Sequence, residues 1–130
     1  MIFVTPQVTK PSSRCDEPVN LIDIYPTLIE LCGLSKKQQL EGLSLLPQLK
    51  EPHAERKSPS LTTHERKNHS LRSKRFRYIR YADGTEELYD HDKDPREWDN
   101  LAGKPGYDQI KAAMAKYLPE NDAMPVENKK

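Results

Sequence analysis

The densest run of aromatic and β-branched residues is Phe76-Arg-Tyr-Ile-Arg-Tyr81. Glu86-Glu-Leu-Tyr-Asp90 answers it across Asp83-Gly84. Asp-Gly between two such runs is a strong signal for a type I′ turn, which needs positive φ at both central residues, so the stretch predicts a β-hairpin. A two-residue loop sets the register as Ala82 opposite Thr85, Tyr81 opposite Glu86, Arg80 opposite Glu87, Ile79 opposite Leu88, Tyr78 opposite Tyr89 and Arg77 opposite Asp90. In that register apolar groups meet apolar groups, and both arginines meet carboxylates. Ile79, Leu88 and Tyr81 then line one face, and Phe76, Tyr78 and Tyr89 the other. An isolated two-stranded ribbon is marginal in water, so this one needs cover on both sides.

The same reading places other elements around the hairpin. Met1-Ile-Phe-Val4 reads as a buried strand, with no second such strand and no βαβ unit to pair it. Pro6 to Pro18 is a polar loop. From Val19 to Gly33 the pattern predicts a helix, with Pro26 in its first turn and Gly33 just past its end. Leu28, Ile29, Leu31 and Cys32 would form its buried stripe, with Leu21, Ile22 and Ile24 packed ahead of it. Glu41–Leu49 follows as a loop and short helical turn, with Ser44 as its N-cap. Ser60–His64 has strand propensity and is expected to join the hairpin as a third strand, while Glu65–Lys74 reads as a basic loop. Asp94 and Pro95 open a capped turn anchored by Trp98 and Leu101. A helix from Pro105 to Pro119 carries Tyr107, Ile110, Met114, Tyr117 and Leu118 on one face, and it is the natural cover for the sheet. Asn121–Lys130 reads as a disordered tail.

Composition changes this picture in one respect. Of the 130 residues 35% are hydrophobic and 32% charged, with 11 prolines; a chain this polar buries little by itself. The expected fold class is α+β, a small antiparallel sheet packed against a C-terminal helix. Three segments are expected: 1–50, 51–120 and the tail 121–130.

The net charge of +1 gives no overall pull towards nucleic acid or membrane. Charge is uneven, however. A basic run from His53 to Arg77 precedes an acidic run from Asp83 to Asn100, which reads either as two complementary surfaces or as a basic site for an anion. No apolar run is long enough to span a bilayer, and no signal peptide is visible, which leaves localisation undetermined. Cys15 and Cys32 form no metal motif and no C-x-x-C pair. They read as two idle or buried thiols, with a disulfide between them as the unsupported alternative.

Candidate chemistry concentrates in Thr63-His-Glu-Arg-Lys-Asn-His-Ser70. His64, Arg66, Asn68 and His69 are the candidate binding residues, because imidazole, guanidinium and amide groups match oxyanions and hydroxyls; a solvated basic loop is the plainer reading. Asn68-His69-Ser70 also meets the N-glycosylation pattern. Asp90-x-Asp92-x-Asp94 fails as a calcium loop, since Pro95 and Leu101 stand where Gly and Glu are needed. No catalytic residue and no metal ligand is identified.

Four segments in order resemble the sulfatase family. They are Pro18-Val-Asn-Leu-Ile-Asp-Ile-Tyr-Pro-Thr-Leu-Ile-Glu-Leu-Cys-Gly-Leu34, Gly42-Leu-Ser-Leu-Leu-Pro47, Arg77-Tyr-Ile-Arg-Tyr81 with Glu87-Leu-Tyr-Asp90, and Asp94-Pro-Arg-Glu-Trp-Asp-Asn-Leu101. The resemblance is to the arylsulfatase and iduronate-2-sulfatase-like family as a whole, and the wording around Ser70–His91 is nearest to bacterial iduronate-2-sulfatase-like members. The resemblance implies the C-terminal subdomain of an alkaline-phosphatase-like sulfatase fold, a four-stranded antiparallel sheet with a helix on it. It implies a missing N-terminal sulfatase domain as partner and a sulfated carbohydrate as the parent's substrate. Family members are often periplasmic, secreted or lysosomal. The family's cofactors, Ca²⁺ and a formylglycine made from Cys or Ser in C/S-x-P-x-R, would lie in that missing domain. Cys15 is followed by Asp16-Glu17 and Cys32 by Gly33-Leu34, and Thr9-Lys-Pro-Ser-Ser-Arg14 has Thr at the nucleophile position. The implied role is the C-terminal portion of a sulfuric ester hydrolase, inactive by itself. The residues alone also leave open a small polyanion-binding module or an inactive remnant.

Overall fold

The computed structural model describes residues 1–124. The chain divides into two compact units, Met1–Lys57 and Ser58–Lys130.

In the first unit a 3₁₀ turn at Leu21–Asp23 runs into α1, Ile24–Leu31, and α2 is Leu46–Lys50. As expected, α1 ends at glycine. Gly33 has φ 64, its N–H reaches Glu30 O at 3.2 Å, and the Leu34 N–H reaches Ile29 O at 3.0 Å, the paired closure of a Schellman motif. The centre of this unit is polar. Asp23, 1% exposed, accepts from Asn20 N at 2.7 Å, Leu43 N at 2.9 Å and the Arg56 guanidinium at 2.8 Å. One turn on, the buried Thr27 hydroxyl donates to Asp23 O and accepts from Leu45 N at 2.8 Å. These contacts draw Leu43–Leu45 against α1, and Gly42 is needed there, because a Cβ on it would lie 2.2 Å from Ile22 O.

The apolar stripe departs from expectation. Ile29 is buried, but Leu21, Ile22 and Leu28 are 78%, 52% and 47% exposed, and Cys32 is exposed. Met1–Val4 forms no strand and Ile2 is 91% exposed; a strand is held by ladder bonds to a neighbour, and the described residues supply none there. Ser44 is not the N-cap of α2, although its hydroxyl accepts from Leu46 N at 3.2 Å. Both cysteines are free and exposed, so they are not joined.

The second unit is a four-stranded antiparallel meander of β1 Ser60–Thr63, β2 His69–Arg72, β3 Phe76–Arg80 and β4 Glu86–Asp90, followed by α3 Asp108–Ala115. β1 pairs with β2 rather than with the hairpin. β2 occupies part of the stretch read as a loop; with Leu71 its one large apolar residue, it shows little strand pattern.

The β3–β4 register is one residue away from the expected one. Tyr78 faces Leu88, Ile79 faces Glu87 and Arg80 faces Glu86. The loop is three residues, Ala82–Gly84, closed by Gly84 N to Tyr81 O and Tyr81 N to Thr85 O, both 3.0 Å. Of its residues only Gly84 has positive φ, at 87. This is a type I turn followed by a left-handed glycine, not a type I′ turn. The core explains the choice. The observed register puts Tyr78 and Leu88 on the same face as Leu71, all three with no exposed surface, and beneath Met114 of α3. Each such apolar side chain contributes about 1.5–3 kcal/mol on burial. Leu61, Phe76, Tyr107, Ile110 and Leu118 pack around them and Leu101 closes the edge, so α3 covers this face as expected. Trp98 is no anchor, being 78% exposed, and Tyr117 is 46% exposed.

Candidate functional site

The candidate loop is the β1–β2 connection. Thr63 and His69 are its last paired residues, and His64 N donates to Asn68 O at 3.0 Å. Glu65 and Lys67 turn the chain with φ 56 and 65, a conformation that non-glycine residues keep only where the surroundings enforce it. Asn68 supplies that enforcement. Its Nδ2 donates to Arg66 O at 3.2 Å and its Oδ1 accepts from Ala82 N at 3.1 Å, tying this loop to the neighbouring β3–β4 loop. The same amide is therefore committed to the fold, which disfavours a glycan at the Asn68-His69-Ser70 pattern.

The four candidate residues part company here. His64 and Arg66 are exposed at the tip, and Asn68 is half-buried beneath them. His69 points to the core face and is 5% exposed. Its Nδ1 lies 3.0 Å from Thr63 Oγ1 and its Nε2 lies 2.9 Å from Asp122 Oδ1. Asp122 belongs to the segment expected to be disordered; residues 125–130 of that segment lie outside the described residues.

The basic and acidic runs meet one another, as one of the two charge readings required. Arg75 grips Asp90 through Nε at 2.9 Å and a second nitrogen at 2.8 Å. Arg77 grips Glu97 at 2.9 and 3.2 Å, and His91 Nε2 lies 2.7 Å from the same carboxylate. Thus His91 sits with Glu97. Arg80 and the Tyr78 hydroxyl converge on Glu86, with Lys111 at 3.4 Å.

Titration follows these contacts. Arg75 holds the Asp90 carboxyl below its ordinary range despite burial. The Tyr78 hydroxyl, then Arg80 and Lys111, hold Glu86 down against its own burial. Burial, then the Glu86 bond, pushes Tyr78 up to about 12, and burial with Glu87 does the same to Tyr89.

Neither free cysteine has the x-Pro-x-Arg continuation that formylglycine needs, so the chain does not fit that group. Among the described residues no three His, Cys, Asp or Glu side chains converge to hold a metal ion. The Asp90–Asp94 carboxylates are occupied otherwise, Asp90 by Arg75 and Asp94 by Arg96 N at 3.3 Å and Asp99 N at 2.9 Å.

A family model described as N-sulphoglucosamine sulphohydrolase, C-terminal, matches residues 1–123. A sulfatase of Formosa agariphila is 35% identical over 123 residues, which is 95% of this chain and 24% of that protein. The delta 4,5-hexuronate-2-O-sulfatase of Bacteroides thetaiotaomicron is 30% identical over 122 residues, 85% of this chain and 25% of its own length. The solved structure of a 2-O GAG sulfatase aligns with TM-score 0.57 at 31% identity, covering 72% of this chain and 22% of that one. The chain therefore spans about a quarter of the length of the curated relatives it matches. The four-stranded sheet with its helix is the α+β fold expected of this region, and the match runs through both units. The chain belongs to the sulfatase C-terminal family described as N-sulphoglucosamine sulphohydrolase, C-terminal.

Proposed function

We propose that the chain is the C-terminal portion of a sulfuric ester hydrolase that acts on sulfated sugars. In this reading an N-terminal sulfatase domain supplies the nucleophile, as formylglycine, and the Ca²⁺ ligands. The observation that carries it is the family match over residues 1–123 in a chain whose cysteines lack the nucleophile motif. The relatives named for hexuronate and GAG 2-O-sulfate groups point to a sulfated uronate-containing saccharide as substrate. Joined to its upstream sequence, the chain should release inorganic sulfate from a 2-O-sulfated uronate disaccharide. An upstream reading frame without C/S-x-P-x-R, or a joined protein that releases no sulfate, rejects the reading.

Within it, the β1–β2 loop borders the substrate cleft. Arg66 offers a cationic hydrogen-bond donor at its tip, with the His64 imidazole beside it. Asn68 and His69 are positioning residues that hold the loop's two ends, Asn68 through Ala82 and His69 through Thr63 and Asp122. A charge-assisted hydrogen bond contributes about 1.5–3 kcal/mol, so Arg66→Ala in the joined protein should raise KM about tenfold with little change in kcat. An unchanged KM removes the loop from the cleft.

A further inference from the structure

Between Asp90 and Ala102 nearly every residue is tied to the sheet or to its neighbours. His91 N reaches Arg75 O at 2.8 Å, Asp94 N reaches Asp90 O at 2.7 Å, and Leu101 N reaches Leu88 O at 2.8 Å. Asn100 Oδ1 accepts from Leu88 N at 3.1 Å and from Ala102 N at 2.9 Å. Glu97 is held from below by Arg77 and His91 and takes a left-handed φ of 59. Trp98 is the exception. It is the one tryptophan of the chain and the largest apolar side chain of the loop, yet it is 78% exposed. Among the described residues its one ring contact is with Arg96, whose guanidinium carbon sits 5.1 Å from the ring centroid. Fixing Glu97 inward in a strained conformation thus sets a stacked guanidinium–indole pair outward on an otherwise rigid loop.

We propose that Arg96 and Trp98 form a stacking subsite for a sulfated pyranose ring. The assignment rests on the sulfated-sugar reading above and adds a second contact to it. The chemistry fits on both counts. An indole plate matches the apolar C–H face of a pyranose, and the adjacent guanidinium presents paired N–H donors to a sulfate oxyanion. The carboxylates of this acidic stretch are answered by cations, Asp90 and Asp92 by Arg75, Glu97 by Arg77 and Asp99 by Lys104, which leaves the Arg96 guanidinium open to an anion. The surroundings favour a sugar over a protein surface. Asp92, Lys93, Pro95, Asp99, Asn100 and Lys104 around the plate are exposed, and Trp98 is the only large hydrophobic exposed between Asp90 and Lys104 among the described residues. A protein-docking patch needs contiguous apolar area, which this loop lacks.

The indole is its own reporter, since no other tryptophan contributes to the emission. Heparin-derived hexasaccharide added to the 130-residue chain should quench and blue-shift Trp98 fluorescence along a saturating curve. Its chemically desulfated counterpart should bind about tenfold more weakly. By calorimetry Trp98→Ala should weaken binding of the sulfated hexasaccharide about tenfold, a factor equivalent to about 1.4 kcal/mol, whereas Trp98→Tyr should keep it within about threefold. Arg96→Ala should erase the preference for the sulfated sugar. Because both side chains are exposed, these variants should leave the circular dichroism spectrum unchanged. No spectral response to either sugar, or unaltered affinity in Trp98→Ala, overturns the subsite, and equal response to both sugars overturns the role of Arg96. In the joined protein before any sugar is added, a blue-shifted, quencher-shielded contribution that is lost in Trp98→Phe would identify a protein contact instead and also overturn it. A joined protein that binds through Trp98 but releases no sulfate would reject the enzymatic reading while leaving this subsite standing.

Discussion

Replacing Asp23 by Asn tests the polar centre of the first unit with the smallest change of shape. The carboxylate takes three donors, Asn20 N, Leu43 N and the Arg56 guanidinium, at 2.7–2.9 Å, while only 1% of its surface is exposed. A carboxamide offers one acceptor oxygen and turns two N–H donors towards groups that are themselves donors. It also strips the guanidinium, whose side chain is 5% exposed, of its carboxylate. Removing one partner of a buried pair costs about 3–5 kcal/mol; the lower end applies, because Arg56 has a further interaction. Since a domain's whole stability is about 5–15 kcal/mol, that loss should open the contact between Leu43–Leu45 and α1 well before the chain unfolds. Amide hydrogen exchange reads it directly. Exchange at Leu43 and Leu45 should accelerate about a hundredfold, the factor for roughly 3 kcal/mol. Asp23→Asn combined with Arg56→Met should recover part of the protection, because removing both charges costs less than stranding one. Acceleration below about tenfold in the single variant, or strictly additive losses in the double variant, would refute the idea that this carboxylate holds the unit together.

Three further outcomes follow from the same structure. Gly42→Ala should destabilise the first unit by more than the ~1–3 kcal/mol typical of overpacking, since its Cβ would lie 2.2 Å from the Ile22 carbonyl oxygen, a backbone atom that cannot swing aside as a side chain could; a urea titration followed by circular dichroism would show it. Stability should also fall at both ends of the pH scale. Asp90 and Glu86 have depressed folded values, so their contribution is present above the ordinary carboxyl range and is lost as pH falls through the folded values. Tyr78 has the opposite sign: its contribution is complete below its ordinary 10.0 and is lost as pH rises towards about 12. Ultraviolet titration should show late phenolate steps near pH 12 that disappear with Tyr78→Phe and Tyr89→Phe.

The sequence was most readable where local chemistry decides the outcome. Gly33 announced the end of α1 because a left-handed residue was needed there, and the spacing of Ile110, Met114 and Leu118 announced the face of α3 that meets the sheet. It misled where the core overrode a local signal. Asp83-Gly84 fits a two-residue loop, but that loop would have turned Leu88 to the same face as Ile79 and away from Tyr78. Burying Tyr78, Leu71 and Leu88 together requires one more loop residue. β2 was hidden because the ladder to β1 and β3 makes it a strand, not its composition. Of the candidate site, the tip residues His64 and Arg66 were legible from residue type. The inward turn of His69 was not, since it depends on which strand pairs with which and on Asp122, more than fifty residues away. Trp98 misled in the other direction, because an indole in a short turn reads as an anchor until the neighbouring contacts show that the turn closes without it.

The sheet order β1-β2-β3-β4 carries a consequence for how the second unit forms. Every strand finds its ladder partner in the segment just before or after it, so each pairing closes a short loop and costs little chain entropy. Sheets built this way can zip from any of their three hairpins, and low sequence separation between contacts is what makes small domains fold quickly. The meander therefore gives this unit a fast route to its native pairing.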